Sequence, residues 1–329
     1  MQKLSFVIPC YRSEKTIGNV VKELDDTLTP LKSQYDYELI LVNDGSPDNT
    51  ASVIEELVKV YPYIIFVNLS KNFGQHSALM AGFHEVSGDI VICMDDDGQT
   101  PANECFKLIN KVEEGYDIAY AEYEKREHKG FRNIGSRFNA ACNHYFFNHP
   151  KDLKPNSYFA CQRFVIDTAL TYPNPFPYVS GLLFQSINTY CNVNITHRTR
   201  EAGESGYTLK KLIKLWANGV TAFSIKPLRL ASYLGWFTAA FGILMAIITI
   251  IRKLVTPSIP TGWASTIAVM LLLGGVIIAL IGIVGEYVGR IYLSINRSPQ
   301  YVVRNIVHGK EVKNDVDNTC HMGEGKPRN

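Results

Sequence analysis

The chain has 329 residues, a formal net charge of +2 and 46% hydrophobic residues. That length suits one large or two ordinary domains, and so small a net charge leaves no broad basic footprint for nucleic acid. Cys10, Cys93, Cys105, Cys142, Cys161, Cys191 and Cys320 include no CxxC pair and no His/Cys spacing for zinc, so they are expected as reduced thiols of a cytosolic compartment.

The amino-terminal apolar run is too short for a signal peptide, and residues 1–123 repeat one pattern. Strand-like runs at 4–8, 39–42, 64–67, 90–94 and 118–120 alternate with helix-compatible stretches at 16–28, 50–61, 77–86 and 102–114. This alternation predicts right-handed βαβ units and a parallel sheet covered on both faces. Ligands in such sheets bind outside the carboxyl ends of the strands. The polar residues at those ends are therefore the candidates for chemistry.

After the first strand, Pro9 ends the run, Tyr11 offers an aromatic face and Glu14 an acceptor near a helix start; Ser13 and Glu14 suit a plain N-cap and dipole partner equally well. After the second, Asn43, Asp44 and Gly45 make a tight turn in which Asp44 can accept from the edge of a nucleobase. After the third, Lys71 and Gly74 are placed to meet phosphate or ribose, or to form a solvated loop. The fourth strand delivers Asp95, Asp96 and Asp97 in succession. Three adjacent carboxylates repel one another. A hard divalent ion, Mg²⁺ or Mn²⁺, would hold them, taking one or two carboxylates and keeping positions open for substrate phosphates. Gly98 permits a sharp turn, Gln99 offers another oxygen, and Pro101 suits a first helical turn. An isolated acidic triplet reads as a solvated helix cap; an aromatic, an acid, a base and a metal-competent triad on one sheet edge read as a site. No GxGxxG follows the first strand and no GxxxxGK[ST] occurs, which leaves a metal-bound nucleotide diphosphate as the nucleotide ligand of choice.

VIPCYRSEKT, LVNDGSPDNT, LSKNFGQHSALMAG and MDDDGQTP, in this order, resemble a family 2 glycosyltransferase of the GT-A fold. More narrowly the chain resembles the polyprenyl-phosphate glycosyltransferases, which include dolichyl-phosphate mannose synthases and bacterial undecaprenyl-phosphate sugar transferases. The similarity runs from about residue 3 to about residue 304. It implies an α/β, Rossmann-like nucleotide-sugar-binding catalytic domain followed by a two-helix transmembrane hairpin. Asp95 and Asp97 match the family's DxD, whose acids bind the metal and the donor diphosphate, and Gln99 matches a Gln that completes the metal site. Pro9, Tyr11, Glu14 and Asp44 match donor-nucleotide positions, Asp44 on the base, and Lys71 and Asp96 are counted with the donor site.

Residues 124–225 are expected to bind the acceptor and to place the domain on the membrane. Lys125, Arg126, Lys129, Arg132 and Arg137 crowd one short stretch, and the i, i+4 pair Arg132 and Ser136 faces one side of a helix. Arg holds phosphate bidentately and Ser adds a donor; the pair resembles the family's acceptor-phosphate clamp. Arg126 is assigned to the same acceptor side, although with Lys129 and Arg137 it also suits a basic surface near anionic lipid. Arg200 matches a family Arg near the diphosphate and acceptor phosphate, while Ser205, Gly206 and Tyr207 replace the usual SKY and lose its Lys. Where some relatives place an Asp considered as a base, this chain has Ser157, Tyr158 and Phe159. A phosphate monoester has a second pKa of about 6, so its oxygen needs no proton removed. Residues 208–219 mix apolar side chains, Trp216 and three lysines, as an interfacial or a core-facing amphipathic helix does.

Residues 234–251 and 263–285 are runs of 18 and 23 residues almost free of charge. Each approaches the span of a hydrocarbon core of about 30 Å; the alternative is two buried helices of a soluble protein. The short, Pro-rich connection predicts an antiparallel hairpin, and Gly242, Gly274, Gly275 and Gly282 allow close helix approach and self-association. Lys226, Arg229, Arg290, Arg297 and Arg304 flank the hairpin, against Arg252 and Lys253 within it, which predicts a multi-pass inner (plasma) membrane protein with its catalytic domain cytoplasmic. The expected division is 1–225 catalytic, 226–292 transmembrane (about 232–252 and 263–285) and 293–329 cytoplasmic, with a disordered tail. The expected activity is inverting, metal-dependent transfer of a monosaccharide from a nucleotide-diphosphate sugar, UDP-sugar favoured, to polyprenyl (undecaprenyl) phosphate. A processive polysaccharide synthase and a catalytically silent membrane adaptor are the alternatives; the first usually carries QxxRW, which is absent here.

Overall fold

A computed structural model describes residues 1–123, 153–196, 198, 226–255, 262–296 and 298–309. Its axis is β1 (Gln2–Cys10), buried from Leu4 onward because both faces of the strand are covered. α1 (Ile17–Leu28) turns Ile17, Val20, Val21, Leu24 and Leu28 to one side, the spacing of a single helical face. The chain continues through β2 (Tyr35–Asn43), α2 (Thr50–Val60), β3 (Ile64–Leu69), α3 (Gln75–Phe83), β4 (Ile90–Cys93), α4 (Cys105–Glu113) and β5 (Ile118–Tyr123). Then follow β6 (Phe159–Gln162), α5 (Arg163–Leu170), α6 (Val179–Ser186) and β7 (Tyr190–Ile195). Two long helices, α7 (Lys226–Val255) and α8 (Trp263–Ile295), precede β8 (Val303–His308), the last strand among the described residues.

The sheet order is β7-β5-β6-β4-β1-β2-β3-β8. β1 pairs in parallel with β2 on one side and β4 on the other, and β2 pairs in parallel with β3. The winding direction thus reverses between β1 and β4, and their carboxyl ends open a crevice of the kind in which such sheets bind ligands. Because side chains alternate along a strand, Phe6 and Ile8 pack with α1, α2 and α4, while Val7, Ile40, Val42 and Val91 pack with α3, α5 and α6.

In three places the structure departs from the sequence expectation. The sheet is mixed: β6 lies antiparallel between β4 and β5, so the fourth and fifth strand-like runs are not neighbours. β8, from the segment after α8, pairs antiparallel with β3. Periodicity marks residues as strand-forming without saying which free sheet edge they will occupy. Pro9 does not end β1, which runs one residue further; β4 has stopped pairing at Val7, so the proline, which has no N–H, lies beyond that ladder.

At the foot of the sheet, buried Glu38 accepts from Ser5 Oγ and from Ser87 N and Oγ, each at 2.6 Å, and pairs with Lys3 Nζ at 2.8 Å. Burial alone would raise its carboxyl, but these bonds outweigh it and hold the group below its ordinary value.

α7 and α8 each contain a window long and apolar enough to cross a membrane, and those windows are 6% and 0% buried, so neither is a core helix. The foot of α8 is tied to the α/β fold. Ser294 Oγ hydrogen-bonds Asn174 Oδ1, Gln300 Nε2 donates to Tyr172 O at 2.7 Å, and Ser70 N donates to Val302 O at 2.9 Å. Five described cysteines, Cys10, Cys93, Cys105, Cys161 and Cys191, are free thiols.

Candidate active site

The site is built from loops that leave the sheet at the switch point. Asp95 follows β4 by two residues and is gripped from both sides: Gln75 Nε2 donates to Oδ1 at 3.2 Å and Ser157 Oγ to Oδ2 at 2.6 Å. Gln75 opens α3 directly after Gly74, whose φ of 93° suits glycine. Ser157 precedes β6, and that strand pairs with β4. The antiparallel insertion of β6 is therefore what brings residue 157 to residue 95. Both donors are neutral, so they orient the carboxylate without adding charge to the site.

Asp96 points the other way and holds the loop after β1. Its Oδ2 accepts from Tyr11 N at 3.1 Å and from Ser13 Oγ. Burial, with the Asp95 charge in addition, pushes Asp96 up to about 6 against the pull of those two bonds. Tyr11 is exposed, with the Arg12 guanidinium 5.6 Å above its ring. Asp97 Oδ1 accepts the Gln99 N–H at 3.1 Å across Gly98, which has a φ of 68°. Gln99 O in turn accepts the Arg198 N–H at 2.8 Å, and Arg198 Nη1 meets Glu23 Oε2 at 2.9 Å. Glu104, buried at the start of α4, accepts from Thr196 N at 3.0 Å. The chain leading toward Arg200 is thereby stitched to the acidic loop.

Asp44 is buried at the end of β2. Phe73 N donates to its Oδ1 at 2.7 Å, and Gly74 N and Asn72 Nδ2 donate to its Oδ2 at 2.9 and 3.0 Å. Burial raises its carboxyl despite the two backbone amides. The carboxylate thus pins the loop that delivers Gln75 to Asp95. Close approach makes this possible: a Cβ on Gly45, whose φ is 57°, would lie 2.3 Å from the Lys71 carbonyl carbon. Lys71 is exposed, with its ammonium 5.2 Å from the Phe73 ring centroid. Glu14 Oε2 accepts the Asn49 N–H at 3.0 Å, joining the loops after β1 and β2, and Pro9 is buried within β1.

Of the residues singled out from sequence, Tyr11, Glu14, Asp44, Lys71, Asp95, Asp96, Asp97 and Gln99 therefore gather on loops at the carboxyl ends of β1 to β4. Arg126, Arg132, Ser136, Arg200 and the 208–219 segment lie outside the described residues. Gln75, Ser157, Ser13, Glu23 and Arg198 were not anticipated as parts of this network. Ser13 and Gln75 each had a local signal, a polar side chain near a helix start after a strand end, and Ser157 stood where some relatives place an Asp, but none of these signals named Asp95 or Asp96 as the partner.

Among the described residues no group of three or more His, Cys, Asp or Glu side chains converges as a closed metal cage. Two carboxylates at a strand end, one already oriented by neutral donors, do fit an oxygen-liganded divalent ion that takes its other ligands from phosphate and water.

A model described as glycosyl transferase family 2 matches residues 5–167, and one described as the GtrB C-terminal hairpin matches residues 226–291. The chain is 33% identical over 304 residues to the uncharacterized glycosyltransferase YkcC of Bacillus subtilis (strain 168), covering 91% of this chain and 93% of that protein. It is 32% identical over 314 residues to the undecaprenyl-phosphate 4-deoxy-4-formamido-L-arabinose transferase of Proteus mirabilis (strain HI4320), covering 94% and 96%. In fold it is similar to glucosyl-3-phosphoglycerate synthase from Mycobacterium tuberculosis, with a TM-score of 0.50 and 18% identity over 68% of this chain and 79% of that one. With identity sustained along nearly the whole of both sequences, the chain belongs to glycosyltransferase family 2 and is a glycosyltransferase.

Proposed function

We propose that this glycosyltransferase moves a monosaccharide from a nucleotide-diphosphate sugar, a UDP-sugar by preference, to polyprenyl phosphate, giving a lipid-linked monosaccharide for cell-envelope glycan modification. The observation that carries the reading is Asp95, oriented by Gln75 and Ser157 beside Asp97 at the β1/β4 switch point. The relatives named for undecaprenyl-phosphate transfer, matched along nearly their full length, support the acceptor class.

Asp95, Asp97 and Gln99 would hold Mg²⁺ or Mn²⁺. Such an ion neutralises charge that builds on the departing diphosphate. Tyr11, Glu14 and Asp44 line the donor-nucleotide side, with Pro9 and Lys71 flanking it, and Arg200, Arg132, Ser136 and Arg126 are assigned to the phosphates of donor and acceptor. An acceptor phosphate oxygen attacks the anomeric carbon; the new C–O bond forms as the bond to the diphosphate oxygen breaks on the opposite face, which inverts the centre. The acceptor oxygen is already largely anionic at neutral pH. No residue has to remove a proton, and Ser157 acts instead as a positioning residue on Asp95. Rate then comes from alignment and charge stabilisation.

The two exposed apolar helices and the matched hairpin support a membrane-spanning reading of α7 and α8, with the catalytic domain on the cytoplasmic side by the Lys/Arg bias of the flanks. The test is transfer by purified protein in detergent, with undecaprenyl phosphate, Mg²⁺ or Mn²⁺ and a panel of radiolabelled nucleotide sugars, following label into the organic phase. Label from one donor, lost on adding EDTA and in Asp97→Ala with the melting curve intact, is the expected result. Transfer retained by Asp97→Ala refutes the metal role.

A further inference from the structure

Two described non-glycine residues have a left-handed backbone, Arg12 and Phe176. Arg12 belongs to the site above. Phe176 does not: it lies between Pro175 and Pro177 in the connection from α5 to α6, with φ 64°. A bulky residue resists that region, and one that precedes proline is pushed toward extended backbone, so the position is disfavoured twice. Core packing does not compensate, because the ring is 50% exposed.

The same connection is clamped to the foot of α8. Asn174 and Tyr172 hold Ser294 and Gln300, and the Arg290 guanidinium lies 5.9 Å from the Phe176 ring centroid. Arg290 also pairs with Glu286 at 2.8 Å. The height of this contact along α8 is informative. The uncharged run ends at Gly285, and five residues at a rise of about 1.5 Å put Arg290 about 7.5 Å beyond it. A headgroup layer is about 5–7.5 Å deep on each side of the hydrocarbon core, so the contact falls at the outer margin of that layer. Past Arg290, α8 still exposes Ile291, Tyr292 and Ile295. Tyr292 and Arg290 are residue types that membrane interfaces select, and an exposed Phe at that level buries its ring at the headgroup boundary as an apolar anchor.

We propose that the α5–α6 connection is a membrane-contact element, with the Phe176 ring seated among lipid headgroups beside Arg290 and docking the catalytic domain on the bilayer surface. This rests on α7 and α8 spanning the membrane. The strained backbone aims the ring outward, and the clamp on α8 fixes its depth. The catalytic crevice is thereby held at a set distance from the layer that carries a lipid phosphate.

The experiment places the photoreactive residue p-benzoylphenylalanine in the full chain, reconstituted in vesicles of radiolabelled phosphatidylethanolamine with phosphatidylglycerol. The three positions are Phe176, Val60 at the exposed end of α2, and Ile278 within the uncharged run of α8. Irradiation should label position 176 about tenfold more than position 60, and position 278 strongly. Label at 278 with position 176 no better than position 60 overturns the proposal and leaves the spanning reading standing. No label at 278 overturns the spanning reading, and the docking element with it.

Discussion

Replacing Asp44 by Asn separates two roles that the sequence alone would merge, contact with the donor base and support of the loop after β3. The carboxylate accepts three hydrogen bonds, from Phe73 N, Gly74 N and Asn72 Nδ2, at 2.7 to 3.0 Å. An amide has one acceptor oxygen. Turned to keep the two bonds on the Oδ2 side, it faces the Phe73 N–H with an NH₂ group. An orphaned buried donor costs about 1–3 kcal/mol, and bonds retained to a neutral oxygen are weaker than those to a carboxylate. The sum is about 3 kcal/mol, concentrated on residues 72–74, which corresponds to roughly a hundredfold faster amide exchange from that loop. Exchange monitored by mass spectrometry on a peptide spanning residues 70–78, with a melting curve alongside, reads it directly. Transfer should fall too, because the loop delivers Gln75 to Asp95. If exchange and melting are unchanged while the KM for donor rises, Asp44 acts on the nucleotide and not on the loop, and the reasoning is refuted.

Ser157→Ala removes a donor that orients Asp95 and should lower kcat/KM about tenfold, the equivalent of ~1.4 kcal/mol, with no change in melting; unchanged kinetics would show that Asp95 needs no such support. Gly45→Ala drives a Cβ to 2.3 Å from the Lys71 carbonyl carbon and should destabilise by about 2–4 kcal/mol, whereas Gly74→Ala, strained in φ but with open space around it, should cost only about 1–2 kcal/mol. Equal melting shifts in the two variants would contradict the close approach of these loops. Glu38 has a folded pKa below its ordinary 4.5, so its stabilising contribution is complete above that value and is lost as pH falls through the lowered one. Glu38→Gln should therefore be less stable than the parent near neutral pH and lose less on acidification below about 4.5; parallel stability curves would remove Glu38 from the acid limb.

Much of the catalytic half is legible without coordinates, because its signals are local. Alternating apolar runs and helix-compatible stretches mark βαβ units, and polar residues at strand ends fall on one edge wherever the strands run parallel. Asp95, Asp97, Asp44 and Tyr11 were found that way, as were both long apolar helices, which composition alone betrays. What the sequence could not supply is pairing over distance. FACQ is a weak four-residue strand signal, and nothing in it says that it enters between β4 and β5; yet that insertion carries Ser157 to Asp95 across 62 positions. Likewise the strand after α8 covers the β3 edge only because the foot of α8 is clamped to the fold. Residue type and spacing determined which chemistry the chain can perform and roughly where along it. The partners of each carboxylate, and hence whether Asp44, Asp96 and Glu14 meet a ligand or a loop, were decided by tertiary structure, since a hydrogen bond depends on angstrom-scale juxtaposition of segments that no local pattern encodes.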